Sequence, residues 1–198
     1  MVLVAADRHI GAARGAMVRL MGCLKRASLW LALGALLALA ELPASASAAQ
    51  TLTRASSRTL LRSQALWATI DVCNPKDQPN TVGIRGSMPG DGMVGDKMYM
   101  SFRLQIMSAA GRWVDLVAGA TPGYVAVGSS ATAREGGRSF QLVPVAGKPA
   151  AQLRGVVAYQ WRHGKTVLLS ISRPTTVGHQ ALAGADPAGF SAASCLIG

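Results

Sequence analysis

Hydrophobic and polar positions alternate most strictly between Met98 and Ile106. Met98, Met100, Phe102, Leu104 and Ile106 fall on one side, and Tyr99, Ser101, Arg103 and Gln105 on the other. Successive strand side chains point to opposite faces, so this period of two predicts a strand with one face in the core and one in water. The methionines are read as core, because they alternate with Phe102, Leu104 and Ile106 on one apolar stripe. Leu66–Cys73 has the same period: Leu66, Ala68, Ile70 and Val72 share one face, and Trp67, Thr69, Asp71 and Cys73 the other. The cluster from Asn74 to Asn80 ends it with two prolines that cannot serve a sheet ladder. Shorter strands are predicted at Thr81–Arg85, Arg112–Val117, Tyr124–Val127, Ser139–Val143 and Lys165–Ile171, and a long one at Leu153–Arg162, divided by Gly- and Pro-rich turns and by His163-Gly164. About seven to eight short strands with no amphipathic helix define an all-β chain and predict an antiparallel β-sandwich.

The ends of the chain follow other patterns. Leu29–Ala40 is an unbroken run of apolar and small residues, preceded by Lys25-Arg26 and followed by Pro43-Ala44-Ser45-Ala46-Ser47-Ala48-Ala49. That is the order of a signal peptide: positive flank, apolar core, small-residue cleavage site. The apolar core falls short of the roughly 20 residues that span a bilayer. Residues 1–49 are therefore expected to be a signal peptide with a helix, cut after Ala48 or Ala49 and leaving no transmembrane anchor. Met17 and Met21 are alternative starts within its long flank. Residues 50–62 are Ser/Thr-rich and basic and are expected to be a flexible linker, leaving 63–198 as the sandwich domain. From Thr175 to Ser194 the chain is rich in Ala and Gly. It is expected to wrap the sandwich irregularly, because it has too little apolar mass to offset its own chain entropy.

Charge and cysteines narrow the setting. The formal net charge is +11. From Gln50 onward there are fifteen Lys and Arg against seven Asp and Glu, a balance of +8, so the basic character belongs to the processed protein. A basic surface favours anionic partners such as cell-wall or extracellular polymers. Cys23 precedes the apolar core and leaves with the leader. Cys73 and Cys195, 122 residues apart, remain. In an oxidising compartment they are expected to pair, the alternatives being two free thiols or an intermolecular bond.

Candidate chemistry is sparse. His163 and His179 have no zinc-site spacing, and His163 reads as a solvated turn tip. A His179–Asp186–Ser191 triad can be drawn, but the nucleophile-elbow motif is missing from the processed chain. No phosphate-cradling glycine loop is present, and Asp91, Gly92 and Asp96 fit a turn better than a calcium loop. No catalytic residue, metal ligand or cofactor is assigned. The best surface candidate is the polar side of the Met98 strand, Tyr99, Arg103 and Gln105. Trp67, Trp161 and Arg162 join it if their strands are neighbours. Aromatic rings beside arginine stack on sugars or bases and hold anions.

The strand series resembles immunoglobulin-like and fibronectin type III-like sandwiches. The Leu66–Cys73 opening, Met98–Arg103, Leu153–Arg162 and the Gly184-Ala185-Asp186-Pro187 to Cys195 ending are also similar to a group of uncharacterised secreted bacterial proteins. That resemblance implies secretion and a sandwich, and no activity. Immunoglobulin-like domains join opposed sheets through cysteines at shorter separation, so the strand lettering does not carry over. The expectation is an exported, non-enzymatic immunoglobulin-like β-sandwich, secreted or envelope-associated, acting as a binding or structural module with no specific nucleic acid partner. One alternative is a secreted hydrolase with a loop-built site near His179 and Asp186. The other is a cationic protein that binds anionic wall or extracellular polymer.

Overall fold

The computed structural model describes residues 2–4, 54–116, 123–179 and 183–198. Of the two period-two segments, Met98–Ile106 lengthens to Asp96–Met107, and Leu66–Cys73 forms a strand from Trp67 to Cys73. In chain order the elements are β1 (Val2–Val4), α1 (Arg54–Arg62), β2 (Trp67–Cys73), β3 (Thr81–Met88), β4 (Asp96–Met107), β5 (Trp113–Asp115), β6 (Val125–Ser129), β7 (Arg134–Val143), β8 (Ala151–His163), β9 (Thr166–Pro174) and β10 (Cys195–Ile197). They form two sheets. One has four strands in the order β1-β7-β3-β2. The other has six, with β10-β8-β4-β5 as its path, β6 added to β4 and β9 to β8. Every strand pairing within them is antiparallel.

Both sheets contribute to one core. Ile70, Val82, Ile84 and Phe140 come from the four-stranded sheet; Met98, Met100, Phe102, Leu104, Val157, Tyr159 and Trp161 come from the six-stranded one. The β4–β8 register pairs Met98 with Trp161, Met100 with Tyr159 and Phe102 with Val157, all toward the core. The Trp161 indole donates to the Pro89 carbonyl at 2.9 Å, so its polar edge is satisfied in the interior. Tyr159 donates to the Trp67 carbonyl and links the two sheets. Burial drives its phenol far above the usual range, with Arg173 opposing. A Cβ at position 86 would lie 2.6 Å from the Tyr159 hydroxyl, so Gly86 makes this crossing possible.

Three expectations need correction. Trp161 is fully buried and not a surface residue: it shares parity with Met98, whereas its neighbour Arg162 pairs with Lys97 on the opposite face. Cys73 does not share a face with Trp67 and Thr69. The β2–β3 register shifts between Ile70 and Val72, which sets Val72 opposite Gly83 and turns Cys73 toward core residue Val82. Residues 54–62 of the expected linker are helical, and α1 is held by Leu60, which is buried, and by Arg173 Nη2 donating to the Leu61 carbonyl at 3.3 Å. Residues 2–4, within the stretch expected to be the leader, form a strand antiparallel to β7. The Leu29–Ala40 core, the cleavage site, Met17, Met21 and Cys23 lie outside the described residues. Among the described residues no helix is long and apolar enough to cross a membrane.

The Cys73–Cys195 bond is present, across 122 residues of chain. The segment before it is ordered by more than that bond. Thr176 N donates to the Ala68 carbonyl, Asp186 N to the Asp71 carbonyl, and Ile70 and Ala192 exchange both backbone hydrogen bonds. The tail thus closes the free edge of β2, which would otherwise present unpaired backbone groups.

Candidate functional site on the outer face of the six-stranded sheet

Turning Met98 and Trp161 inward turns their neighbours outward. Lys97 pairs with Arg162, Tyr99 with Gln160 and Gln105 with Arg154 across the β4–β8 ladder, away from the core. β6 and β5 flank this face, bringing Tyr124 to one end and Trp113 and Asp115 to the other. Tyr99, Arg103, Gln105 and Arg162 therefore do share one surface. Trp161 does not, and Trp67 lies on β2 in the other sheet.

Two arginines on this face are held in the same manner. The Arg162 guanidinium lies 4.2 Å from the Tyr99 ring centroid and 5.1 Å from that of Tyr124. Its Nε donates to Gln160 Oε1 at 2.8 Å, and its Nη2 reaches the same oxygen. The Arg154 guanidinium lies 4.6 Å from the Trp113 ring centroid, and its Nε donates to Gln105 Oε1 at 2.8 Å. Partial burial lowers the Arg154 pKa, yet an arginine stays charged throughout the physiological range. Such cation–π contacts fix the plane of a guanidinium without neutralising it.

Arg103 differs. Its Nε meets Asp115 Oδ1 at 3.2 Å, and Gln105 Nε2 donates to the same oxygen at 2.8 Å. Asp115 thus answers Arg103, while Arg154 and Arg162 are bonded to neutral amides and have no acidic partner among the described residues. Arg162 also stands directly across from Lys97. Like charges directly opposite across strands are destabilising, so this end concentrates positive charge at a cost in stability.

The drawn triad is not assembled. The His179 ring stacks on Trp67 with centroids 4.3 Å apart and planes at 15°. Ser191 Oγ accepts from the His179 backbone N–H at 3.0 Å and shares a 2.8 Å hydrogen bond with the Thr69 hydroxyl, so it is engaged away from the imidazole. Burial lowers the His179 pKa, partly opposed by Glu135. Asp186 pairs through its backbone with Asp71 and precedes a cis Asp186–Pro187 bond.

His163 is more than a solvated tip: its Nδ1 is 2.7 Å from Oδ1 of buried Asp96. Nearby Asp91 has its carboxyl raised by burial, with Asp96 adding to that shift, and its Oδ2 is buried without a hydrogen-bond partner among the described residues. No group of three metal-binding side chains occurs among the described residues. An open apolar pocket of about 570 Å³ lies between the end of β4, the β7–β8 connection and Ile197. Neither His179 nor Asp186 lines it.

Lys97, Trp113, Tyr124 and Arg154 were not part of the sequence-derived patch. Trp113, Tyr124 and Arg154 sit in three different predicted strands and Lys97 just ahead of a fourth, and only the register of β4 with its three neighbours brings them together. No known family model matches the chain, and no curated protein sequence matches it.

Proposed function

We propose that this protein is an exported binding module of the β-sandwich type that holds an anionic polymer of the cell wall or extracellular space on the outer face of its six-stranded sheet. The observation that carries this reading is Arg162. It is stacked against Tyr99 and Tyr124, bonded to a neutral glutamine and set opposite Lys97. A guanidinium held rigid but not neutralised is well suited to carboxylate, sulfate or phosphate oxygens. The +8 balance of the chain from Gln50 onward supplies long-range attraction for such a partner. Export is supported by the leader pattern and fits the Cys73–Cys195 bond, which persists in oxidising compartments.

The test is retention on immobilised heparin-type polymer across a salt series. Wild type should bind at low salt and elute as screening increases. A Lys97→Gln/Arg162→Gln variant should elute at distinctly lower salt. Unchanged retention of that variant, or wild-type binding indifferent to salt, would refute the reading.

A further inference from the structure

We infer that Arg162 and Arg154 are two posts for one ligand: a linear acidic polysaccharide running along β8, gripped by an oxyanion group at each end of the strand. This rests on the anion-binding reading of the face and adds the ligand's class, shape and minimum length.

The two arginines share one strand and one face, eight residues apart. At about 3.4 Å per residue they stand roughly 27 Å from each other. Each has an aromatic ring against its guanidinium and a glutamine oxygen on its Nε. Between them, Arg103 is already answered by Asp115. The charge available to a ligand is therefore concentrated at the two ends. A small anion can satisfy one post, whereas only an extended chain can satisfy both.

The stretch between the posts carries no unpaired charge and mixes apolar Val156 and Ala158 with polar groups. Exposed Ser170 and Ser172 on β9 lie beside Gln160 and Ala158 of β8. Hydroxyls and amides suit the hydroxyl groups of a sugar chain. Single-stranded nucleic acid fits less well. Sequence-tolerant binding of that kind needs free aromatic faces on which bases stack, and here arginines lie against Tyr99 and Trp113.

The experiment measures affinity of the secreted protein for size-graded heparin oligosaccharides and size-graded oligogalacturonates. Affinity should step up at least about tenfold once the chain exceeds roughly 27 Å, because the second contact becomes intramolecular. Arg154→Gln or Arg162→Gln should each abolish the step while leaving short chains bound at the remaining post. The double variant should lose both. Arg154→Lys keeps charge without the planar fork and should retain an intermediate step, which separates lost recognition from lost folding. A step in either series supports the proposal, and the responding series names the oxyanion as sulfate or carboxylate. A long-chain affinity that falls in Arg162→Gln but not in Arg154→Gln overturns the two-post arrangement and leaves the anion-binding face intact. Insensitivity to both substitutions overturns the face as well. Tighter binding of a single-stranded DNA of matched length and charge, at the same salt, overturns the glycan assignment.

Discussion

The two sheets present outward faces that are both polar and have opposite fates. On the four-stranded sheet, outward Thr69 and Asp71 are buried under the tail. Thr69 donates to the Thr176 carbonyl at 2.7 Å and bonds the Ser191 hydroxyl. Asp71 takes Arg85 Nε at 2.9 Å, and its backbone receives Asp186. On the six-stranded sheet, Arg162 and Arg154 find only neutral groups. Polar atoms consumed by the chain itself mark a structural face. Charges immobilised but left unanswered are what the proposed anion-binding role calls for.

If that contrast is right, releasing the strap should produce the largest loss of stability. Cys195→Ser opens a loop of 122 residues. In the chain-entropy account such a closure contributes about 4–5 kcal/mol, and native disulfides in small domains typically contribute about 2–5 kcal/mol. Denaturant unfolding should show a loss of that order. Limited proteolysis should cut between Thr175 and Cys195 before any strand of either sheet. A tail as resistant as wild type would mean that its backbone pairing with β2 suffices alone.

A smaller break isolates the polar side of the strap. Thr69→Val removes the hydroxyl that meets the Thr176 carbonyl and Ser191. Buried partners left unsatisfied cost about 1–3 kcal/mol, so chemical denaturation should register a loss of that size. A cost below about 0.5 kcal/mol, the usual surface value, would erase the distinction between the two faces.

Much of the structural face and little of the candidate site could be read from residues alone, for physical reasons. The Met98–Ile106 alternation survived intact because one face is core and the other water, which writes a period of two into the chain. Around Trp161 the period is obscured: Val156-Val157-Ala158 is apolar on both faces, so nothing local says that Trp161 points inward and Arg162 outward. The bulge near Asp71 leaves no sequence mark, yet it reverses Cys73. The helix was missed because Leu60 and Leu61 are the only large apolar residues within Arg54–Arg62, and tertiary contact outweighs so weak a pattern. The arginine stacks join residues from β4, β5, β8 and the segment entering β6, and register alone assembles them.

The strap should also respond to pH. The His179 pKa is lowered first by burial and partly restored by Glu135. Its unfolded value is about 6.5. As pH falls through that value the unfolded chain takes up a proton before the folded one, so stability is present above it and is lost progressively down to the folded pKa. Tail cleavage by a protease active across the range should be faster at pH 5.5 than at pH 7.5. His179→Phe keeps a flat ring beside Trp67 and should flatten the profile. A profile that stays as steep in this variant would assign the pH response to another group.

The smallest expected effect on stability falls where binding should change most. In Arg162→Gln the cation–π contacts with Tyr99 and Tyr124 are lost, which at an exposed site costs about 0.5–1 kcal/mol. The same substitution relieves the repulsion from Lys97 directly across the ladder, a cross-strand effect of about 0.2–1 kcal/mol in the opposite direction. The two nearly cancel, so the melting temperature should stay within about 2 °C of wild type for a domain of this size. Retention on anionic polymer should still drop. Differential scanning calorimetry and the salt-elution measurement on the same preparation decide the matter together. A large melting shift with unchanged retention would reverse the assignment, making the stacked arginines supports of the fold rather than a face held open for a ligand.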